Sequence, residues 1–344
     1  MNIYALNTIS IGEDTIELLC NELQIKGVIG LSDHEYGDKI SGFSYQKKFS
    51  EKQNLNFIEV QDYNLENQND KSKLLSLNID VLIVLGWQRL VPKWLIDHCN
   101  VFVIGSHGSP FGITKGRGRS PQNWSLMMGL DSFEISIFEI DSGIDSGRVF
   151  DSKRFSYDQF DDIRTSYYKA CLLTSYMIIN LLRDKNFMKK SFKEQNDKNA
   201  EYFPKRVSSD GFIDWNLDKI NIFNLIRSLT KPYPGARTII NENEVIIWKG
   251  HPFKLELDLS RKKNGEIFKV FYNGDLLVKC EDGLILITEY SILGKKTKII
   301  TGNQFTSFDN FSINSAIIKR HKKQYPNLPI SSKLIDHMKE ISIK

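Results

Sequence analysis

The sequence predicts an α/β protein with two domains, a doubly wound, Rossmann-like parallel sheet followed by a smaller, mostly β, OB-like barrel. Short apolar runs alternate with helical patterns in the first half of the chain, which is the signature of strand–helix–strand units. From residue 236 onward the pattern changes to short strands separated by turn residues. A length of 344 residues also exceeds what one hydrophobic core usually organises, so two domains are expected.

The first half of the chain supplies the elements of the parallel sheet. Buried strands are predicted where short apolar runs are bounded by polar or turn residues. These runs lie at 2–6, 28–31, 56–60, 80–85, 101–104 and 133–140. Apolar residues at helical spacing predict helices at 15–23 and 161–184, and a short helix is expected at 92–98. The polar, glycine-containing segment 33–48 predicts a loop.

In the second half of the chain, the residue composition and the apolar pattern change at the predicted domain boundaries. The Lys/Asn-rich segment 187–200 has the composition of a linker. An amphipathic helix is predicted at 218–229 and is stopped by Pro232, and Asn273-Gly274 is one of several turn signals in the β region beyond it. The predicted boundaries are 1–186 for the parallel-sheet domain, 187–204 for the linker, 205–305 for the barrel-like domain and 306–344 for a helical tail.

Composition and charge exclude several classes of protein. With 41% hydrophobic and 26% charged residues, the chain is typical of a soluble globular protein rather than of a disordered or fibrous one. No apolar stretch approaches the roughly 20 residues that a membrane span requires, and no signal peptide follows Met1. The four scattered cysteines lack the spacing of a zinc or disulfide framework. We expect a cytoplasmic protein that does not bind membranes.

Two of the predicted strands end in glycine-rich segments with polar side chains. The strand at 101–104 is followed by Gly-Ser-His-Gly-Ser, which contains His107, and the strand at 133–140 by Asp-Ser-Gly-Ile-Asp-Ser-Gly, which contains Asp145. Ligands of open α/β sheets bind at the carboxyl ends of strands. A histidine oriented by a carboxylate is the usual apparatus for proton transfer near neutral pH. We therefore expect His107 and Asp145 to be catalytic, with Asp145 holding the imidazole ring in one tautomer.

The same two segments bear on metal and anion binding. Asp141 and Asp145 flank a glycine turn but lack the run of oxygen ligands that a calcium loop requires, so no metal is predicted. The basic loop 112–119 is by itself typical of a solvated surface turn, and it is not a Walker motif. Beside a His/Asp site, its cations can hold phosphate oxygens while its glycines admit backbone amides. The substrate-binding residues predicted in this region are Ser109, Lys115, Arg117 and Arg119.

Together these motifs resemble the folate-dependent formyltransferases, a family that includes methionyl-tRNA formyltransferase, glycinamide ribonucleotide formyltransferase and the sugar N-formyltransferases. The family's common core consists roughly of Asn-x-His-x-Ser, a Lys-x-Arg-Gly loop, Ala-Pro-x-Asn-Trp on a helix, and an Asp-Thr-Gly loop. The counterparts in this chain are 105–109, 115–118, 120–124 and 145–147. Further segments resemble the family's carboxy-terminal domain, namely 202–206, 210–215, 226–236, 265–269 and 282–289.

The resemblance implies 10-formyltetrahydrofolate as co-substrate and no metal. The segment 85–92 looks like the strand and turn of the family's pterin pocket, although Trp87 has core packing as its alternative. The predicted cofactor-binding residues are Gly86, Trp87, Gln88, Leu90, Asp141 and Gly143. Arg206 and Asp210 are candidates for completing the acceptor site, with packing between the domains as the equal alternative.

One departure from the family is serious, because Gly105 stands where the family keeps a catalytic Asn. An oxyanion-stabilising donor of this kind is typically worth about 3 kcal/mol. Three outcomes are open. A backbone N–H or the Ser106 hydroxyl supplies the bond, which makes Ser106 a catalytic candidate; another side chain such as Gln88 fills the space; or the chemistry is altered or lost.

The acceptor is chosen among those that the family uses. A net charge of +4 and a sequence pI of about 8.6 lack the strongly basic face expected of a tRNA enzyme, so nucleic acid is disfavoured. The long second domain argues against a free ribonucleotide. We expect a nucleotide-linked amino sugar from surface-glycan biosynthesis. The alternatives are methionyl-tRNA formyltransferase and a non-catalytic folate or nucleotide-sugar binding protein. Edge strands of the barrel would offer a homodimer interface.

Overall fold

A computed structural model of the protein describes residues 1–32, 36–37, 40, 42–294 and 298–342. The chain divides into two compact units that interleave along the sequence. The amino-terminal unit comprises Met1–Arg117, Phe133–Phe155 and Tyr167–Ala200, and the carboxy-terminal unit comprises Gly118–Ser132, Ser156–Ser166 and Glu201–Lys344. The predicted boundaries at 186, 204 and 305 stay predictions. Residues 343–344 of the predicted tail and most of the first half of the predicted 33–48 loop lie outside the described residues.

The amino-terminal unit is built on a seven-stranded sheet. The strands in this part of the chain are β1 (Ile3–Asn7), β2 (Ile25–Leu31), β3 (Asn56–Val60), β4 (Val81–Leu85), β5 (Phe102–Ser109), the two-residue β6 (Arg117–Gly118), β7 (Ser132–Glu139) and β8 (Val149–Ser156). The sheet order is β3-β2-β1-β4-β5-β7-β8. The strands from β3 to β5 are parallel, and β7 joins antiparallel to β5. The predicted doubly wound fold is confirmed.

The helices in this part of the chain are α1 (Ser10–Cys20), α2 (Gln46–Lys52), α3 (Gln68–Leu75), α4 (Lys93–His98), α5 (Pro121–Met127) and α6 (Ile163–Arg183). The five residues of β4 are all buried, as expected of a central parallel strand covered on both faces. The helices α2 and α3 escaped prediction because their short, mostly polar sequences carry no apolar periodicity. The strand β8 was not predicted because it lies at the edge of the sheet and none of its eight residues is fully buried.

The strand β5 continues five residues beyond its predicted end. Its register with β7 runs from Ile104 opposite Glu139 to Ser109 opposite Glu134, so the expected loop at 105–109 is wrong. Glycine at 108 permits close packing rather than a turn, because a Cβ there would lie 2.2 Å from the Phe133 ring. The pairing between β4 and β5 ends with Val84 opposite Gly105. The polar end of β5 therefore extends past the carboxyl edge of β4, where ligands of such sheets bind.

The carboxy-terminal unit contains a five-stranded antiparallel sheet, which confirms the predicted mostly β second domain. The remaining strands are β9 (Tyr202–Phe203), β10 (Ala236–Ile240), β11 (Asn243–Phe253), β12 (Ile267–Val270), β13 (Leu276–Cys280) and β14 (Gly283–Leu293), and the sheet order is β10-β11-β14-β13-β12. The remaining helices are α7 (Lys219–Leu229), α8 (Asn310–Gln324) and α9 (Ser332–Ser342). Trp215 is fully buried in the core of this unit.

The predicted tail is folded within the carboxy-terminal unit. Tyr202 of β9 donates a hydrogen bond to the Pro329 carbonyl at 2.8 Å and accepts one from the Ser331 amide at 3.0 Å. The segment between α8 and α9 therefore pairs in parallel with β9, with Ile330 opposite Tyr202. None of the helices in the described part of the chain is long and apolar enough to cross a membrane.

Candidate active site

His107 lies inside β5, opposite Ser136 of β7, and its side chain is 11% exposed. Its Nε2 atom lies 2.8 Å from the carbonyl oxygen of Gly116. Because a carbonyl oxygen only accepts hydrogen bonds, Nε2 carries a hydrogen and donates it. The Gly116 carbonyl thus fixes the tautomer of the ring, a function that the sequence assigned to Asp145. The second ring nitrogen, Nδ1, is left for proton transfer.

Asp145 faces this second nitrogen. Its Oδ2 atom is 3.6 Å from Nδ1 of His107, and its side chain is 22% exposed. The separation is too long for a hydrogen bond but short enough for a direct charge interaction. Asp145 has a φ of +50°, which non-glycine residues seldom adopt and which aspartate tolerates better than most. The structure therefore brings the two predicted catalytic residues together across the end of the sheet.

The two residues before His107 are arranged differently. Alternation along β5 puts the Ser106 and His107 side chains on opposite faces of the sheet, so the structure does not place the Ser106 hydroxyl beside the imidazole. At Gly105, a Cβ would lie 2.8 Å from Cγ1 of Ile140 and 3.1 Å from Cζ of Phe138. Apolar side chains therefore fill the space beside this backbone position. An amide side chain at 105 would require Ile140 to move.

The segment after β4 contains both buried and exposed side chains. Trp87 is 7% exposed and its ring packs edge-on against Tyr63, with centroids 5.0 Å apart. Its indole Nε1 is buried without a hydrogen-bond partner among the described residues. The backbone N–H of Gln88 donates to the Tyr63 hydroxyl at 3.0 Å, while Leu90 is 57% exposed. Gly86 has a φ of +70°, and its carbonyl accepts a hydrogen bond from Thr8 at 2.9 Å.

Asp141 shapes the loop that carries Asp145. Its Oδ1 atom accepts hydrogen bonds from the Gly143 amide at 2.9 Å and from the Ser146 hydroxyl at 2.6 Å. These bonds close the loop directly after β7. The cofactor-binding roles predicted for Asp141 and Gly143 stay predictions, and the contacts seen here are within the loop itself.

The three basic residues of the loop 112–119 differ in their exposure and in their contacts. Arg117 is 2% exposed, and its Nη2 atom lies 2.8 Å from Oδ1 of Asp197 and 3.0 Å from Oε1 of Gln195. Lys115 is exposed in a single 3-10 turn. Arg119 belongs to the carboxy-terminal unit, where its backbone amide donates to Phe203 at 3.1 Å. Ser109 is 1% exposed, and its hydroxyl accepts a hydrogen bond from the Phe111 amide at 3.1 Å.

Arg206 and Asp210 form a cluster within the carboxy-terminal unit. The Arg206 guanidinium lies 4.7 Å from the centre of the Trp124 ring and donates to the Asp210 carbonyl at 2.7 Å. Burial lowers the pKa of Arg206 to about 10. The Asp210 carboxylate, 3% exposed, accepts hydrogen bonds from the Val207 amide at 2.8 Å and from Arg320 of α8 at 2.5 Å. These contacts are those of a packed structural cluster, and the predicted role in substrate binding stays a prediction.

Sequence reasoning missed Gln195 and Asp197, which contact the loops around His107 and Asp145. Both lie in a polar segment whose composition is that of a linker, so no periodicity or motif distinguished them. Within the described residues, no three His, Cys, Asp or Glu side chains come close enough to form a metal site.

Two protein families match the sequence. Residues 17–176 match the family described as Formyl transferase, and residues 206–307 match the family described as Formyl transferase, C-terminal domain. Among curated proteins, the chain is 29% identical over 290 residues to methionyl-tRNA formyltransferase of Finegoldia magna, an alignment that covers 83% of this chain and 90% of that protein.

Solved structures with the same fold include two that were determined with folate compounds. HypX from Aquifex aeolicus in complex with tetrahydrofolic acid has a TM-score of 0.57 at 15% identity, and the match covers 96% of this chain. This chain spans about half of HypX, 48% of its length. The N-formyltransferase of Helicobacter canadensis, in complex with folinic acid and dTDP-3-aminofucose, has a TM-score of 0.57 at 16% identity, covering 85% of this chain and 100% of that one.

Proposed function

The chain belongs to the formyl transferase family, and we propose that it transfers the formyl group of 10-formyltetrahydrofolate to the amine of a nucleotide-linked amino sugar. Both domains of the family are present in order, so the protein is a folate-dependent formyltransferase. The observation that carries the proposal is the His107–Asp145 pair at the carboxyl edge of the sheet.

The pair supplies the proton transfers that formyl transfer needs. An acceptor amine attacks the formyl carbon as the neutral base, a C–N bond forms, and the nitrogen must then lose a proton. Nδ1 of His107 is placed to take that proton because Nε2 is already donating to Gly116. The Asp145 carboxylate at 3.6 Å stabilises the resulting imidazolium. The proton then passes to the departing nitrogen, which releases tetrahydrofolate and the formamide.

The donor to the formyl oxygen does not come from a side chain at position 105. The space beside Gly105 is filled by Ile140 and Phe138, so an amide cannot occupy it in this arrangement. We propose that His107, once its Nδ1 has taken the proton of the amine, provides the charge stabilisation that the family's Asn otherwise shares. Gln88, which is half-buried beside the Trp87 segment, is the alternative donor.

The shape of the basic loop favours a small anionic acceptor. Of its cations, Arg117 is buried in an ion pair with Asp197, and Lys115 is the exposed one in the amino-terminal unit. Proteins that bind nucleic acid through its backbone typically use about 6–10 phosphate contacts. One exposed lysine beside the His107 site instead suits a diphosphate. The Helicobacter canadensis relative, which was crystallised with dTDP-3-aminofucose, supports the same acceptor class.

Methionyl-tRNA formyltransferase is the second candidate, because the Finegoldia magna enzyme of that name aligns over 90% of its length. The two candidates differ in charge requirements. A tRNA acceptor would make the reaction rate fall steeply with salt, whereas a nucleotide sugar would show a shallow dependence. The prediction of a homodimer stays open for either candidate.

The test is a comparison of kcat/KM for dTDP- and UDP-linked amino sugars and for initiator methionyl-tRNA, each with 10-formyltetrahydrofolate. We expect turnover of at least one amino sugar, and no turnover in His107→Ala. Formylation of the tRNA alone would contradict the proposal that the acceptor is a nucleotide-linked amino sugar. Folate binding without transfer to any acceptor would support the non-catalytic alternative that Gly105 raises.

A further inference from the structure

One side chain outside the family's motifs connects both halves of the proposed catalytic pair, and we propose that Gln195 is a positioning residue for His107 and Asp145. This inference rests on the proposed function, since it assigns Gln195 a part in the reaction that the pair performs. Its four hydrogen bonds go to the two loops that hold the imidazole and the carboxylate.

The amide nitrogen of Gln195 fixes the Asp145 loop. Nε2 donates hydrogen bonds to the carbonyl oxygens of Asp145 at 2.9 Å and of Gly147 at 2.8 Å. Asp145 has a φ of +50°, so its backbone conformation needs support from its surroundings. The two hydrogen bonds from Gln195, to the carbonyls of Asp145 and Gly147, provide that support; they are called the Gln195 clamp below. The direction of the Asp145 side chain depends on this clamp.

The amide oxygen of Gln195 fixes the loop that holds His107. Oε1 accepts hydrogen bonds from the Thr114 hydroxyl and from Nη2 of Arg117, both at 3.0 Å. Thr114 and Arg117 flank Gly116, whose carbonyl accepts the hydrogen bond from His107. Gln195 therefore reaches the imidazole through the turn that fixes its tautomer.

A primary amide offers two N–H donors and two acceptor lone pairs, and Gln195 uses all four. The orientation of the amide is determined by its partners, because two carbonyl oxygens require the nitrogen on their side. Substitution by Met keeps the length of the side chain and removes all four bonds. Substitution by Glu keeps the two acceptor interactions and removes both donations to the Asp145 loop.

The backbone that carries Gln195 is itself anchored to the amino-terminal unit. Lys193 and Val149 of β8 exchange backbone hydrogen bonds at 2.8 and 3.3 Å. The ring of Phe192 packs edge-on against Phe150, with centroids 4.7 Å apart. The segment 192–195, although its composition is that of a linker, is therefore held against β8, and this contact fixes the position of Gln195.

The kinetic test compares Gln195→Met and Gln195→Glu with Glu194→Met, a matched control at the adjacent, exposed position. Misplacing a catalytic group by about 1 Å costs on the order of 100-fold, so we expect kcat to fall roughly 100-fold in both Gln195 variants. KM for both substrates should change little, and the control should match wild type. If Gln195→Glu retained the kcat of the wild type, the claim that the two donated hydrogen bonds position Asp145 would be contradicted. Loss of thermal stability with unchanged kcat in Gln195→Met would show a purely structural residue.

A second readout needs no acceptor. In ¹⁵N-histidine NMR spectra, we expect neutral His107 of the wild type and of Glu194→Met to be the Nε2–H tautomer. In Gln195→Met the two neutral tautomers of His107 should mix. An unchanged tautomer would overturn the positioning role. If the tautomer shifts while the wild type formylates no acceptor, the proposed function is wrong and the positioning role stands.

Discussion

Each unit contains a carboxylate that the sequence singled out and that lies beside a basic side chain, and the two pairs differ in separation and burial. His107 and Asp145 are separated by 3.6 Å, with side chains 11% and 22% exposed. Asp210 and Arg320 are 2.5 Å apart, with side chains 3% and 34% exposed. The carboxylate of the second pair accepts from both Arg320 and the Val207 amide.

This difference separates a site for chemistry from a site for stability. A catalytic base must have an atom that can exchange a proton, which Nδ1 of His107 provides. A carboxylate buried with two donors has no such freedom, and removing it takes the negative charge away from the guanidinium groups of Arg206 and Arg320. Variants at the two pairs should therefore affect different quantities, reaction rate at the first and unfolding free energy at the second.

The largest effect is expected at the imidazole. His107→Ala should lower kcat by at least about 1,000-fold, because the variant loses its proton acceptor. The melting temperature should remain close to that of the wild type. Steady-state kinetics and a thermal melt on the same preparation check this. Retention of more than a tenth of kcat would contradict the catalytic assignment.

The second effect is expected in the other unit. Asp210→Ala should reduce the unfolding free energy by about 3 kcal/mol, because the guanidinium groups of Arg206 and Arg320 lose the carboxylate beside them and the Val207 amide loses its acceptor. Activity per folded molecule should be unchanged. Urea denaturation measures the loss, and Asp336→Ala, at an exposed acid on α9, is the matched control. A normal denaturation curve with a raised KM would instead place Asp210 in the acceptor site.

The third effect tests the carboxylate of the active pair. Asp145→Asn should lower kcat by about 100-fold, because the neutral amide no longer stabilises an imidazolium. Asparagine tolerates a φ of +50°, so the loop should keep its shape. Kinetics across pH check this, with near-ultraviolet circular dichroism as the structural control. An unchanged pH profile would remove Asp145 from the mechanism.

The fourth effect concerns the family's missing amide. Gly105→Asn should destabilise the protein by about 1–3 kcal/mol without raising kcat, because the new side chain meets Ile140 and Phe138. The double variant Gly105→Asn/Ile140→Ala should regain part of that stability. Denaturation of the two variants tests the packing argument. A rise in kcat in the single variant would show that the space is available after all.

The smallest effect is expected at His337, which should influence the pH dependence of the unfolding free energy but not that of kcat. Burial lowers the pKa of His337 in α9 below its ordinary value of 6.5. The unfolded chain therefore binds more protons than the folded chain just below pH 6.5, and the unfolding free energy falls as the pH drops through that range. The slope is limited to about 1.4 kcal/mol per pH unit. His337→Gln should flatten this slope and leave the pH profile of kcat unchanged; an unchanged slope would contradict it.

The parts of the fold that the sequence predicted are those in which burial dictates the pattern. The strand at β4 is a continuous apolar run because both of its faces are covered. The extension of β5 was missed because Gly105 and Gly108 suggest a loop, whereas their small size serves close packing against Phe138 and Phe133. A single sequence does not separate these two uses of glycine.

The candidate site divides in the same way. His107 and Asp145 were predicted to meet because strand ends converge at one edge of a sheet, and the structure brings them together. Arg117 could not be distinguished from Lys115 by residue type, since only its contacts with Asp197 and Gln195 reveal that it is engaged. The four hydrogen bonds of Gln195 likewise depend on loops that lie far apart in sequence.

The proposed activity is tested most directly by following ¹³C-labelled formyl groups from 10-formyltetrahydrofolate in the presence of a dTDP-linked amino sugar. With the wild-type protein, we predict a new formamide carbon signal on the sugar, growing in step with tetrahydrofolate. With His107→Ala, that signal should be absent. Label found only in formate, or only on methionyl-tRNA when it is added, would contradict the assignment of an amino-sugar acceptor.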